Sequence, residues 1–142
     1  GNMLYLLAFG DNVEDRMGHL GFLGFYLLSG LAAAFAQIAI DPASTIPSVG
    51  ASGAIAGVLG GYILLFPSGI VRTLVIIGPF LRMARLPALA FLLFWFITQF
   101  LSGIASLGIT TAETGGVAYW AHIGGFVMGL VLVGLHKLLF ER

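Results

Sequence analysis

The stretch from His19 to Ile40 runs for 22 residues without one Asp, Glu, Lys or Arg, and this rules out most of what such a chain can become. At 1.5 Å of rise per residue it would make a helix of about 33 Å, enough to cross about 30 Å of hydrocarbon. Backbone placed in hydrocarbon must satisfy its own hydrogen bonds, which restricts a single crossing segment to a helix. Other apolar segments repeat the pattern: residues 86–107 and 117–140 have spanning length, residues 51–66 form a short span, and residues 3–9 are a span cut short. The connectors at residues 10–18, 41–50, 67–85 and 108–116 hold most of the turn-forming residues. The expected fold is all-α: a polytopic transmembrane helical bundle forming a single membrane domain over residues 1–142.

Composition agrees, since only 8% of residues are charged and mean hydropathy is +1.06, whereas a soluble domain carries roughly 25% charged residues. Net charge is zero and the six basic residues are scattered, which argues against nucleic acid as a partner. Cysteine is absent, so disulfides, thiolate catalysis and Cys-based metal sites are excluded. The chain opens on Gly1 inside an apolar run with no basic start. No signal peptide is legible there, and an N-terminal truncation is expected.

Successive spans must alternate in direction, and the basic residues obey that constraint. Arg16, then Arg72, Arg82 and Arg85, then Lys137 and Arg142 fall on one side, while the connectors at residues 41–50 and 108–116 hold no Lys or Arg. The positive-inside rule makes the first side cytoplasmic. Within the third connector, residues 71–80 are apolar but interrupted by Gly78 and Pro79, and are read as an interfacial segment too short to span.

The chemistry is expected at Gly50-Ala51-Ser52-Gly53, the outer start of the short span. Sixteen residues rise only about 24 Å, so Ser52 sits below the outer surface, where irregular backbone is tolerated only against protein or a water-filled cavity. His122 is the one histidine placed within hydrophobic depth, about 7 Å down its own span at helical rise. Ser52 and His122 therefore share a depth and a side. Ser52, Ala56 and Gly60 recur at four-residue spacing beside Gly53, Gly57 and Gly61, and His122, Gly125 and Gly129 share one helix face. Small residues at such spacing let membrane helices approach closely. A serine hydroxyl needs a base to become a nucleophile, and neutral imidazole suits that task near pH 7. No Asp or Glu is placed to orient the imidazole: Asp41 and Glu113 lie in outer loops and the remaining acids on the basic side. A Ser–His dyad results, its histidine oriented by a backbone group or by packing. Free amides at the helix N-terminus near Ser52 suit an oxyanion. Asn2 is a candidate second donor, about 12 Å from a cytoplasmic turn expected at Gly10 and thus near mid-membrane.

These residues resemble the rhomboid family of intramembrane serine proteases, in its prokaryotic type. Gly50-Ala51-Ser52-Gly53 is similar to the family's GxSG nucleophile motif, Ala121-His122 with Gly125 and Gly129 to its AHxxGxxxG base helix, and residues 10–18 to its GxxExxxG turn. The resemblance implies the second to sixth core helices of a rhomboid, without the first helix and the outer loop after it. It assigns Ser52 as nucleophile, His122 as base and Asn2 to the oxyanion hole, and the family histidine four positions before Asn2 would precede Gly1. Where rhomboids often carry a tyrosine four residues after the serine, this chain has Ala56. The implied activity is hydrolysis of peptide bonds in or near transmembrane segments of protein substrates in a lipid bilayer, with no metal or cofactor. The implied location is a prokaryotic plasma membrane with the site opening outward. Trp95, Phe96 and Phe100 would line a lateral gate for substrate.

Blander readings exist for each feature. Gly50 to Gly61 taken alone is a packing helix, because small-xxx-small spacing is ordinary membrane glue. His122 taken alone is as compatible with an interhelical hydrogen bond, and Gln37 and Gln99 are read as such bonds. Glu14 with Arg16 is read as a structural interfacial turn. Two other functions compete with the protease: an inactive rhomboid-like protein binding transmembrane clients, and a small transporter, against which stands the lack of an inverted repeat. Oligomeric state is not legible.

Overall fold

A computed structural model describes residues 1–45, 50–108 and 116–140; Glu113 and Arg142 lie outside them. The chain begins with one helical rod: α1 (Asn2–Tyr5), a π-helical turn (Leu6–Gly10) and α2 (Asp11–Met17). Gly18, at φ +72, ends it. α3 (His19–Ile40), α4 (Ser52–Leu65), α5 (Ala88–Ala105) and α6 (Tyr119–Phe140) follow. α3, α5 and α6 are long and apolar enough to cross a membrane, whereas α4 has 14 residues. The chain is a multi-pass membrane protein built as a helical bundle.

The connector at residues 10–18 is not a loop, as its turn-like composition suggested, but helix up to Met17. Val13 explains why: it is fully buried and, with Phe9, joins the core around Tyr62. The Phe9 and Tyr62 rings meet edge to face at 4.9 Å, a favoured aromatic geometry. Burial of this stripe keeps the chain helical past Gly10.

The segment read as interfacial is an antiparallel hairpin of β1 (Ile70–Ile77) and β2 (Phe80–Pro87), in register from Ile70 opposite Pro87 to Ile77 opposite Phe80. Six of the eight residues of Ile70-Val-Arg-Thr-Leu-Val-Ile-Ile are β-branched, a composition that fits a pleated strand better than a helix. Gly78, at φ +58, makes the two-residue turn with Pro79, a position suited to glycine. The Ala88 amide donates to the Gly69 carbonyl at 2.7 Å and closes the hairpin's base onto α5.

α4 is the axis of the bundle. Twelve of its 14 residues are buried, in keeping with a helix that is apolar all round. α6 lies against it along Gly53, Gly57 and Gly60, and α3 along Ser29 and Ala33. A methyl group added at Gly60, Gly125 or Gly129 would overlap the facing main chain of Phe126, Gly53 or Gly57 respectively. The small residues thus permit backbone-to-backbone contact. Large apolar side chains such as Leu20, Leu27, Phe35, Phe94 and Leu139 stay exposed on the outer helices, as a lipid-facing surface requires.

Contacts at one end of the bundle fit the expected alternation. Lys137, in the last turn of α6, donates from Nζ to the Leu64 carbonyl at 3.1 Å, a favourable place for a cation beside a helix C-terminus. The Arg16 guanidinium lies 5.8 Å from the centre of the Phe66 ring. The ends of α2, α4 and α6 therefore gather at the basic end, with the hairpin arginines directly following α4 in the chain. Glu14 belongs to this end too and pairs with His19 Nδ1 at 2.5 Å.

Candidate active site

Ser52 is the first residue of α4, at the end of the bundle opposite the basic residues. The first helical hydrogen bond of α4 runs from the Ile55 amide to the Ala51 carbonyl at 3.0 Å. The amides of Ser52, Gly53 and Ala54 therefore precede the helical ladder and have no partner within it. Gly50, at φ +144, turns the incoming chain with a backbone that side-chain-bearing residues rarely adopt.

His122 lies in the first turn of α6, its own amide bonded to the Ala118 carbonyl at 3.2 Å. Across the glycine contact its Nε2 stands 3.0 Å from Ser52 Oγ, within hydrogen-bond reach. Gly125 and Gly53 permit that distance, because a side chain at either would push α6 from α4 or crowd α3. The matched depth and the small-residue faces read in the sequence are present together.

A cavity of about 700 Å³ opens over the pair, within the roughly 300–1,000 Å³ common for ligand sites. Ser52, Gly53, His122 and Asn2 line it, with Gln37 and Asp41 from the far end of α3. Gly50 also lines it, whereas Gly125 and Gly129 lie in the helix contact beneath. Asn2 is not at mid-membrane. With residues 10–17 helical, it stands 15 residues before Met17, about 22 Å at helical rise. The 14 residues of α4 rise about 21 Å, which brings Asn2 to the level of Ser52.

The second ring nitrogen of His122 also has a partner, Gln99, which the sequence marked as an interhelical hydrogen bond without naming what it meets. Nδ1 lies 2.7 Å from Gln99 Oε1 on α5. Gln99 was legible as an isolated intramembrane amide; its partner was not, because 23 residues separate the two in the chain. One turn earlier on α5, the Trp95 ring lies 5.8 Å from the imidazole at 37°. An aromatic neighbour thus reaches His122 from α5, while Ala56 on α4 is fully buried in the core. The aromatic residues of α5 divide. Trp95 and Phe96 pack on Phe126 of α6 at 6.1 and 4.5 Å, while Phe94 and Phe100 stay exposed. Trp120 ties the far ends of the two helices by donating from Nε1 to the Gly103 carbonyl at 3.1 Å.

Among the described residues, no group of three or more His, Cys, Asp or Glu is placed to hold a metal ion. The arrangement is a hydroxyl, an imidazole aligned on it, and a set of amide donors around a cavity whose mainly small apolar lining is interrupted by Asn2, Gln37 and Asp41.

Comparison with known proteins gives the lineage. The chain is 30% identical over 135 residues to the protein named Rhomboid protein 1, mitochondrial, of Saccharomyces cerevisiae, a match covering 92% of this chain and 35% of the yeast protein. The chain thus spans about a third of the length of that relative. No solved structure matches it. The family model described as Rhomboid domain matches residues 1–137, and with nearly the whole chain inside it, this protein belongs to the rhomboid family.

Proposed function

We propose that this chain is the catalytic domain of an intramembrane serine endopeptidase, with Ser52 as nucleophile and His122 as general base. The observation that carries the reading is the 3.0 Å approach of His122 Nε2 to Ser52 Oγ at the cavity. The pair lines a cavity in an apolar bundle, where an ionisable group has a functional reading by default.

In this reading a substrate transmembrane segment, locally unwound, presents a peptide carbonyl to Ser52. Oγ attacks the carbonyl carbon while its proton passes to His122 Nε2. The oxygen of the tetrahedral intermediate accepts hydrogen bonds from amides at the start of α4 and from the Asn2 side chain, with the positive end of the α4 dipole behind it. His122 then gives the proton to the leaving amine as the C–N bond breaks. A water, deprotonated by His122, cleaves the Ser52 ester and returns the hydroxyl. No metal or cofactor takes part. The basic end is the cytoplasmic one, so the cavity opens outward. The motifs favour a prokaryotic plasma membrane, and the yeast relative, by its name, is a rhomboid of mitochondria. A client-binding role without cleavage would leave the aligned serine and imidazole without a use.

The test is cleavage of a single-pass transmembrane substrate by the full-length protein in liposomes. Ser52→Ala and His122→Ala should each abolish product, and a serine-reactive phosphonate should label Ser52 in the wild type only. Equal cleavage by all three proteins would remove the assignment.

A further inference from the structure

We propose that Gln99 is the residue that orients His122, completing a Ser52–His122–Gln99 relay in which a neutral amide stands where serine hydrolases often place a carboxylate. The inference rests on the protease reading above and adds to it a residue that the family motifs in this sequence do not contain.

The geometry leads there through the tautomer. A neutral imidazole carries one proton, on Nδ1 or on Nε2, and the partner of one nitrogen decides the role of the other. Gln99 presents its carbonyl oxygen to Nδ1 at 2.7 Å, and a carbonyl oxygen only accepts. Nδ1 therefore holds the proton and donates. Nε2, left with its lone pair, faces Ser52 Oγ at 3.0 Å and accepts from it. This is the tautomer a general base requires. With the amide of Gln99 reversed, its NH₂ group would donate to Nδ1 and the proton would sit on Nε2. His122 would then donate to Ser52 and remove no proton from it.

Among the described residues, the hydrogen-bond partner of Nδ1 is the neutral Gln99 amide. Asp41 belongs to the rim of the cavity on α3, and His122 is flanked on α5 by Trp95 and Gln99, both partly buried. A neutral orienter also suits the depth. A carboxylate there would have to be desolvated, which is costly without full compensation, whereas an amide asks for hydrogen bonds alone. Gln99 touches neither the serine nor the substrate carbonyl, so it is a positioning residue.

Two measurements on the full-length protein in liposomes test this, one independent of catalysis. In the ¹⁵N spectrum of His122, the wild type should show protonated Nδ1 and unprotonated Nε2, and Gln99→Leu should lose that single tautomer. A wild-type spectrum with the proton on Nε2 overturns the proposal. In cleavage assays Gln99→Leu, which keeps an apolar side chain of similar size in the bundle, should lower kcat by roughly ten- to hundredfold with KM little changed. Gln99→Glu should recover most of that loss, because a carboxylate oxygen also accepts from Nδ1. A Gln99→Leu protein that cleaves at the wild-type rate, or a Gln99→Glu protein as slow as Gln99→Leu, overturns the role of Gln99 and leaves the protease reading standing. Cleavage that survives Ser52→Ala removes the protease reading itself.

Discussion

Gly125 on α6 and Gly53 on α4 meet main chain to main chain, so closely that a methyl group on Gly125 would occupy the place of the Gly53 carbonyl. This contact lies one residue from Ser52 on α4 and three residues, just under a turn, from His122 on α6. The separation of the two reactive atoms is thus set by backbone, not by adjustable side chains. Gly125→Ala is expected to destabilise the bundle by about 1–3 kcal/mol through overpacking. Cleavage should fall by roughly a hundredfold, as a displacement near 1 Å at reacting atoms implies. Gly134→Ala is the control: nothing lies within 4 Å of its added Cβ, so stability should hold or rise by up to about 1 kcal/mol from helix propensity. Reversible unfolding in bicelles together with phosphonate labelling of Ser52 measures both.

Ser29 is fully buried on α3 against Gly57, and its hydroxyl has no hydrogen-bond partner among the described residues. An unsatisfied buried hydroxyl is a burden on stability. Ser29→Ala is expected to be neutral or to stabilise by about 1 kcal/mol, with cleavage unchanged. A loss of more than about 1 kcal/mol in the same unfolding assay would show that the hydroxyl has a structural use.

Asn2 lines the cavity beside Ser52. In the proposed reaction it donates to the developing oxyanion, which matters in the transition state more than in binding, so Asn2→Ala should lower kcat by roughly 10²-fold and leave KM within about threefold. Steady-state kinetics at several substrate densities in liposomes separate the two. A change confined to KM would assign Asn2 to substrate binding instead.

The Trp95 ring stands 5.8 Å from the imidazole, tilted by 37°, and also packs on Phe126. Trp95→Ala should open a void that frees His122 to change rotamer, with a loss of activity of roughly tenfold and of stability of about 3 kcal/mol. Trp95→Phe keeps an aromatic face and should recover most of both. Activity restored with stability still low would separate the effect on His122 from the effect on the core.

The sequence made the helical bundle legible because hydrophobic length is a one-dimensional signal. It also made legible the pairing of Ser52 with His122, since depth along two spans can be counted from their ends and glycines at regular spacing mark where helices touch. Two local structures were harder. The helix at residues 11–17 is polar on most of its surface, and Val13 identifies its buried stripe only once Phe9 and Tyr62 are known to stand beside it. The hairpin at residues 70–87 was hidden because both of its faces carry apolar side chains, which blurs the alternation expected of a strand. Its β-branched composition was the available clue. The Gln99–His122 bond was out of reach for another reason: its partners sit on different helices, and no spacing rule connects a glutamine on one to a histidine on the next.

The brevity of α4 has a consequence for the surrounding lipid. A helix of about 21 Å exposed to a bilayer core of about 30 Å would create a hydrophobic mismatch, met by local thinning or tilting. Here 12 of its 14 residues are shielded by protein, and the longer helices α3, α5 and α6 face the acyl chains in its place. The missing length of roughly 9 Å is therefore taken up inside the protein, as the cavity over Ser52, and the membrane outside can remain flat.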